Sequence, residues 1–316
     1  MYSTTGIDAS NYVSTFNAAF YSIAGVSLFL LIGLTITMLY FVFRYNKKKH
    51  KTAIQNEGNT KLEITWTVIP VLLALMMFYF GWEGWKPMNK PPKDAMTITT
   101  TARMWSFSFL YENGKESTEL VVPVNTPVKI NLISVDVIHS LFIPAYRIKS
   151  DIVPGRQKVM WFIPQTEGDF DLYCAEYCGL RHSYMKSMVK VLSKEKFTAW
   201  YGDTTSIAKA GAGTGPGEQG LTIMKFQGCM ACHSTDGTKI VGPTYLNLFG
   251  KQEVVNRNGT EATITVDEEY IKRSIFDPNA DIVKGYPKGL MQSYKGKISD
   301  ADIAKIIEYL KSLNDK

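Results

Sequence analysis

At 316 residues, 45% of them hydrophobic, the chain has material for two or three packed units. Bases exceed acids by only 35 to 29, and five of the bases, Arg44, Lys47, Lys48, Lys49 and Lys51, fall within eight residues. So local an excess excludes a nucleic-acid-binding face.

That basic run separates two apolar segments, Ala19 to Phe43 and Ile64 to Trp85, each long enough to cross a hydrocarbon layer of about 30 Å as a helix. They predict a transmembrane hairpin within residues 1–92. The first exceeds the apolar core of a signal peptide and lacks a basic stretch before it. The positive-inside rule puts residues 44–62 in the cytoplasm and both ends outside. Two buried helices of a soluble protein are the rival reading. His50 in the basic loop reads as a solvated residue.

Lys86-Pro-Met-Asn-Lys-Pro-Pro-Lys93 breaks the second helix, and short β-rich runs follow. Met96 to Ala102, Trp105 to Tyr111, Glu119 to Val122, Val128 to Ser134, Lys158 to Ile163, Phe170 to Tyr173 and Met188 to Leu192 predict an all-β sandwich or small barrel over 93–196. A linker over 197–216 includes Ala210-Gly-Ala-Gly-Thr-Gly-Pro-Gly217, a flexible tether. Residues 217–316 read as an all-α domain with helices at Glu218 to Phe226, Val266 to Ile275 and Ser299 to Leu313. The last has Ser299 as N-cap, acids in its first turn and Ile303, Ile306, Ile307 and Leu310 on one face.

The helical domain carries Cys229-Met-Ala-Cys-His233. C-x-x-C-H attaches a c-type haem through two thioethers and places the adjacent imidazole on the iron. Met291, in Gly289-Leu-Met-Gln-Ser-Tyr294, is the candidate for the other axial position, with Met224 and Met230 as weaker rivals. A thioredoxin-like redox pair is the competing reading, but no β-α-β pattern surrounds the motif and His233 follows directly. Residues 217–316 resemble class I cytochrome c. Gly242-Pro243 matches the family position whose backbone holds the proximal imidazole. The family usually has proline after the ligand methionine, whereas this chain has Gln292.

The remaining two cysteines share Cys174-Ala-Glu-Tyr-Cys-Gly-Leu-Arg-His-Ser-Tyr-Met185 with an imidazole and a thioether. Thiolate, imidazole and thioether together select copper over oxygen-preferring ions. Paired thiolates can bridge two coppers, with His139 and His182 at opposite ends, Met185 as a weak axial ligand and the Glu176 carbonyl available. A Cys174–Cys178 disulfide and a two-cysteine, two-histidine zinc site are the alternatives. Met185 read alone is ordinary core filler.

From the hairpin to about residue 195 the chain resembles subunit II of the haem-copper cytochrome c oxidases. The resemblance rests on Asp136-Val-Ile-His-Ser140, Lys149-Ser-Asp-Ile-Val-Pro-Gly-Arg156 and the 174–185 motif. It implies a cupredoxin-like sandwich with a binuclear copper centre, CuA, held by His139, Cys174, the Glu176 carbonyl, Cys178, His182 and Met185. It also implies magnesium at the boundary with subunit I, facing the Glu176 side chain. Trp105 matches the tryptophan through which electrons reach the copper, and a second family tryptophan is replaced by Phe107. Glu63 matches the glutamate at the entrance of the K proton pathway, its rival reading being a solvated helix-start carboxylate. A fused cytochrome c domain is a known variant of the family.

The expected function is electron input to a proton-pumping terminal oxidase in the bacterial inner membrane. Subunit I, and with it subunit III, would be partners in the lipid phase. The donor would be a soluble or membrane-bound cytochrome c or a quinol-oxidising complex. A CuA-containing subunit of a nitric oxide reductase, or a membrane-anchored copper and haem carrier without enzymatic role, are the alternatives. The copper ligands argue against a quinol oxidase subunit, and the short chain against nitrous oxide reductase. Acids and bases balance at 13 each over 217–316, so no docking face follows from net charge.

Overall fold

A computed structural model describes residues 9–52, 58–203 and 216–314. Two long helices come first, α1 (Val13–Arg44) and α2 (Thr60–Trp85), side by side and apolar enough to cross a membrane. Nearly all their large side chains, from Phe20 to Trp85, face outward. Such a surface in water would be untenable, so the buried-helix rival does not describe this hairpin. Asn59 caps α2 by accepting from the Leu62 N–H, and Pro70 lies within that helix.

The sandwich is made of ten strands. β1 (Met96–Arg103), β2 (Ser106–Tyr111), β3 (Glu116–Ser117), β5 (Val128–Ser134) and β8 (Lys158–Phe162) form one sheet in the order β3-β2-β1-β5-β8. β4 (Leu120–Pro123), β6 (His139–Ile143), β7 (Ile148–Ile152), β9 (Gly168–Cys174) and β10 (Lys186–Leu192) form the other in the order β4-β10-β9-β6-β7. Alternation builds the core. In β5, Val128, Ile130 and Leu132 point inward, as do Ile98 and Ala102 of β1. They meet Leu141, Ile143, Leu172 and Val189 of the facing sheet, each burial stabilising by about 2 kcal/mol.

β6 and β7 were not among the expected strands. His139-Ser-Leu-Phe-Ile143 is buried on both faces and therefore shows no alternation. The linker also begins later than residue 197. Ser193 caps a further helix, α3 (Lys194–Gly202), whose Phe197, Trp200 and Tyr201 pack onto the sandwich. Lys115, buried under the Trp200 ring, donates to the carbonyls of Trp200 and Asp203 and closes that contact. The expected tether falls largely on 204–215, outside the described residues.

The segment before α1 is part of the sandwich. Ser10 bridges to Pro164, the Asn11 backbone N–H donates to Ile163 at 3.2 Å, and the Ile163 N–H returns a bond to the Asn11 side chain at 2.8 Å. Beyond α2, the Trp161 indole donates to the Pro87 carbonyl at 3.1 Å and packs edge-on to Tyr12.

The C-terminal domain contains α4 (Pro216–Phe226), α5 (Glu268–Phe276) and α6 (Asp300–Lys311). Ile303, Ile306, Ile307 and Leu310 are buried on α6, and the Ser299 hydroxyl accepts from the Asp302 N–H, as the sequence predicts. α4 crosses α6 at Gly220, where a Cβ would strike the Lys305 carbonyl and Tyr309. Besides its helices, this domain has a small sheet of β11 (Gln252–Arg257), β12 (Thr260–Thr265) and β13 (Ile282–Val283). The β11–β12 turn is Asn258-Gly259, a strong hairpin signal that the helical reading passed over.

Candidate metal centres

The 174–185 loop leaves the sheet at the end of β9 and returns at the start of β10. Neighbouring strands therefore bring its two ends together, and the Cys174 N–H donates to the Met185 carbonyl at 3.0 Å. β6 lies on the other side of β9, which sets His139 beside Cys174. The four side chains His139, Cys174, Cys178 and Met185 are all buried, and both cysteines are free.

Their atoms form two facing sets. The sulfurs of Cys174 and Cys178 are 3.7 Å apart. His139 Nδ1 lies 3.9 Å from the Cys174 sulfur, whereas His182 Nδ1 lies 3.5 Å from the Cys178 sulfur. Met185 Sδ is 3.7 Å from Cys178, and the Glu176 carbonyl oxygen is 3.3 Å from Cys174. The Glu176 carboxylate faces outward to Lys149 at 3.7 Å. Burial pushes the Cys174 thiol up, but hydrogen bonds with His139 and the neighbouring backbone outweigh it and bring the thiol down to about 6. Burial and then the charge on Cys174 push Cys178 up to about 12. The two thiols are thus unequal, Cys174 being the more acidic of the pair.

Two residues support this loop. Trp105 is buried and donates its indole N–H to the Cys178 carbonyl at 3.0 Å, against Gly179 at φ +112°. Asp136 accepts from His139 Nε2 at 2.7 Å, from the Val137 N–H at 2.7 Å and from the Met104 N–H at 2.6 Å. Burial raises its carboxyl, yet the bonds to His139, Met104 and Val137 prevail and hold it below the usual carboxylate range. Such a carboxylate fixes which nitrogen of His139 is turned to the sulfurs. Asp136 belongs to a quoted motif, but its role was not evident before the fold brought Met104 to it.

In the C-terminal domain, His233 and Met291 line one cavity together with Cys229, Cys232, Met224, Tyr245 and Tyr294. His233 Nδ1 donates to the Pro243 carbonyl at 2.7 Å, which leaves Nε2 as the free lone pair. Burial lowers the imidazole's pKa and keeps it neutral. A Cβ on Gly242 would come 2.5 Å from the His233 ring, so only glycine admits the imidazole here. Burial pushes Cys229 up to about 12 and Cys232 up to about 11. Thiols raised by burial are weaker redox nucleophiles, which weighs against a thioredoxin-like pair. Met224 also lines the cavity, whereas Met230 packs against the hydrophobic core. Glu63 stands in the first turn of α2, far along the chain from either centre.

Known proteins resemble each part. Residues 8–81 match the description cytochrome c oxidase subunit II, transmembrane domain, residues 114–192 match its periplasmic domain, and residues 217–314 match cytochrome c. Cytochrome c oxidase subunit 2 of Bacillus sp. (strain PS3) is 31% identical across 86% of this chain and 80% of its own. The chain belongs to the cytochrome c oxidase subunit II family. The subunit 2 of Alkalihalophilus pseudofirmus is 27% identical across 92% of this chain and 85% of its own. The solved periplasmic domain of subunit II from Bradyrhizobium japonicum is 32% identical, covering 35% of this chain and 94% of that one, with a TM-score of 0.34.

As a subunit II, the chain is an electron-input subunit of a haem-copper oxidase, a membrane protein working with other oxidase subunits, its soluble domains outside the membrane. The family implies a copper centre and the cytochrome c domain a haem. The residues present fit both groups. Sulfur and imidazole donors converge in the sandwich, and a neutral buried imidazole shares an apolar cavity with the two thiols of the attachment motif.

Proposed function

We propose that this subunit receives electrons at a covalent haem c and passes them to a binuclear copper centre, CuA, from which they leave for subunit I. The observation that carries this reading is the arrangement around the paired sulfurs: each has an imidazole of its own, His139 by Cys174 and His182 by Cys178. A single tetrahedral ion would draw four donors to one point. Donors spread to two ends suit two ions sharing both thiolates, with Met185 and the Glu176 carbonyl completing the set. Copper in this set supplies a redox couple whose charge is spread over two nuclei, and the buried sandwich core holds the donors still through the change.

Cys229 and Cys232 would hold the haem by thioethers, and His233 and Met291 would ligate its iron. Trp105, bonded to the Cys178 carbonyl, would be the residue through which electrons enter the copper site. Residues 44–62 would lie in the cytoplasm of a bacterium, with Glu63 at the entrance of a proton pathway of a pumping complex that includes subunits I and III. Glu176, paired with exposed Lys149, would exchange that partner for magnesium at the boundary with subunit I. A cytochrome c or a quinol-oxidising complex would deliver electrons to the haem domain.

The test is copper and haem quantitation with electron paramagnetic resonance on the purified protein. Two coppers per covalent haem, with one unpaired electron spread over both nuclei, is the expected outcome. A zinc, one exchangeable copper or a Cys174–Cys178 disulfide in a fully metallated sample would overturn the reading.

A further inference from the structure

We propose that Asp136 and Gln292 form a bridge that holds the haem loop against the copper loop and carries the electronic coupling between them. The proposal rests on the function proposed above. Asp136 lies in the loop before β6, its side chain only 4% exposed; Oδ1 faces the sandwich alone, while Oδ2 is shared between the Met104 N–H of the sandwich and the C-terminal domain. Oδ1 is 2.7 Å from His139 Nε2. Oδ2 accepts from Gln292 Nε2 at 2.8 Å.

Gln292 follows Met291 in the chain, and the other nitrogen of His139 faces the Cys174 sulfur. Two hydrogen bonds and covalent linkages therefore join the backbone of the haem-cavity methionine to the edge of the paired sulfurs. Electronic coupling decays less steeply along bonds and hydrogen bonds than across van der Waals gaps. A proline at 292 would offer no donor, so the bridge depends on the residue in which this chain departs from the cytochrome c pattern.

The surroundings show a built interface. Arg103, Met104 and Asp136, all from the sandwich, line the same cavity as His233 and Met291. Arg103 donates to the Gln227 carbonyl at 3.1 Å and to its side chain at 2.8 Å, and Arg181 donates to the Ala231 carbonyl. Gly228, at φ +77°, comes so close that a Cβ would strike the Ser106 hydroxyl. The electron count is simple: one electron leaves the haem side, which is oxidised by one, and enters the copper side, which is reduced by one. No bond is made or broken: Gln292 keeps its amide protons and Asp136 stays a carboxylate.

The test uses the intact, metal-loaded oxidase complex, reduced by a flash-activated ruthenium compound, with the haem followed in the visible and the copper in the near infrared. Gln292→Leu removes the donor at similar size. The haem-to-copper step is expected to slow roughly tenfold, the effect of losing one charge-assisted hydrogen bond from a docked pair. Gln292→Lys keeps a donor toward Asp136 and should restore the rate, while Gln292→Glu sets two carboxylates together and should slow it further. Haem content, the methionine-ligation band and the copper resonance stay unchanged in all three. Wild-type speed in Gln292→Leu, or equal slowing by Leu and Lys, would overturn the bridge. Absence of the copper pair or the covalent haem from the wild-type protein would instead remove the proposed function, and the bridge with it.

Discussion

The Trp105 indole and the Cys178 carbonyl are joined by a 3.0 Å hydrogen bond, so the ring that covers the cysteine loop also fixes its backbone. Trp105→Phe keeps the ring and loses the donor. Copper content should persist, thermal stability should fall by about 1 kcal/mol, and turnover with a reduced cytochrome donor should drop. Trp105→Ala should cost about 4 kcal/mol by leaving a cavity, and there the copper resonance itself should broaden. Copper quantitation beside turnover separates the two effects, and unchanged turnover in Trp105→Phe would deny the indole N–H and its bond to Cys178 a part in electron input.

Cys174 and Cys178 are unequal thiols, one lowered and one raised, and in the proposed copper pair both sulfurs would share charge between two ions. Replacing either with serine should convert the resonance of an electron spread over two copper nuclei into that of an electron on one. Met185→Leu, of nearly equal volume, should cost less than about 1.5 kcal/mol and leave the shared-electron pattern in place.

Gly242 leaves room for His233 and nothing more. Gly242→Ala should displace the imidazole or the Pro243 carbonyl that holds it, costing about 2 kcal/mol as overpacking. The measurable sign is a loss of covalent haem on a denaturing gel stained for haem peroxidase activity, with the sandwich still loaded with copper.

Asp281 is buried between Arg257 and Arg273, which lie 2.6 and 2.8 Å away, beneath the haem cavity. The bond from Arg257, with that from Arg273, holds its carboxyl below the usual value of an aspartate. A depressed carboxylate contributes stability that is complete above the unfolded value near about pH 4 and is lost as pH falls through the folded one. Asp281→Asn should therefore lower the melting of the haem domain at pH 7 by about 2 kcal/mol, with both arginines part-exposed and screened. The gap from wild type should close as pH falls below about 4, measured by haem-region circular dichroism. A gap independent of pH would mean that packing, not charge, supplies the effect.

The two cysteine motifs could be singled out in the sequence because each sits in one short run, whereas His139 and Met291 come to them only through the fold. Ser299 and the apolar face of α6 were equally legible, because local spacing decides burial there. β6 was hidden by being interior on both faces, and the β11–β12 hairpin by an expectation of helix alone. The domain interface was hidden for a different reason. Its contacts pair a charged group with an amide or carbonyl, Arg103 with Gln227 and Asp136 with Gln292, and counting charges cannot detect a charge that meets a neutral dipole. Gln292 was visible as a departure from pattern, but its partner lies 156 positions away in the chain.

The pairing of Ser10 and Asn11 with Ile163 and Pro164 has a bearing on how the protein is made. Residues ahead of the hairpin complete a sheet margin synthesised some 150 positions later. The Ile163 backbone stays without these partners until the leading segment has been carried across the bilayer. A chain in which only one of the two helices crossed would strand those partners on the far side, leaving the sandwich open beneath Tyr146 and Trp161. Insertion of both helices is thus written into the completion of the soluble domain, whose β-edge stays unfinished until the second crossing returns the sandwich to the side of the leading segment.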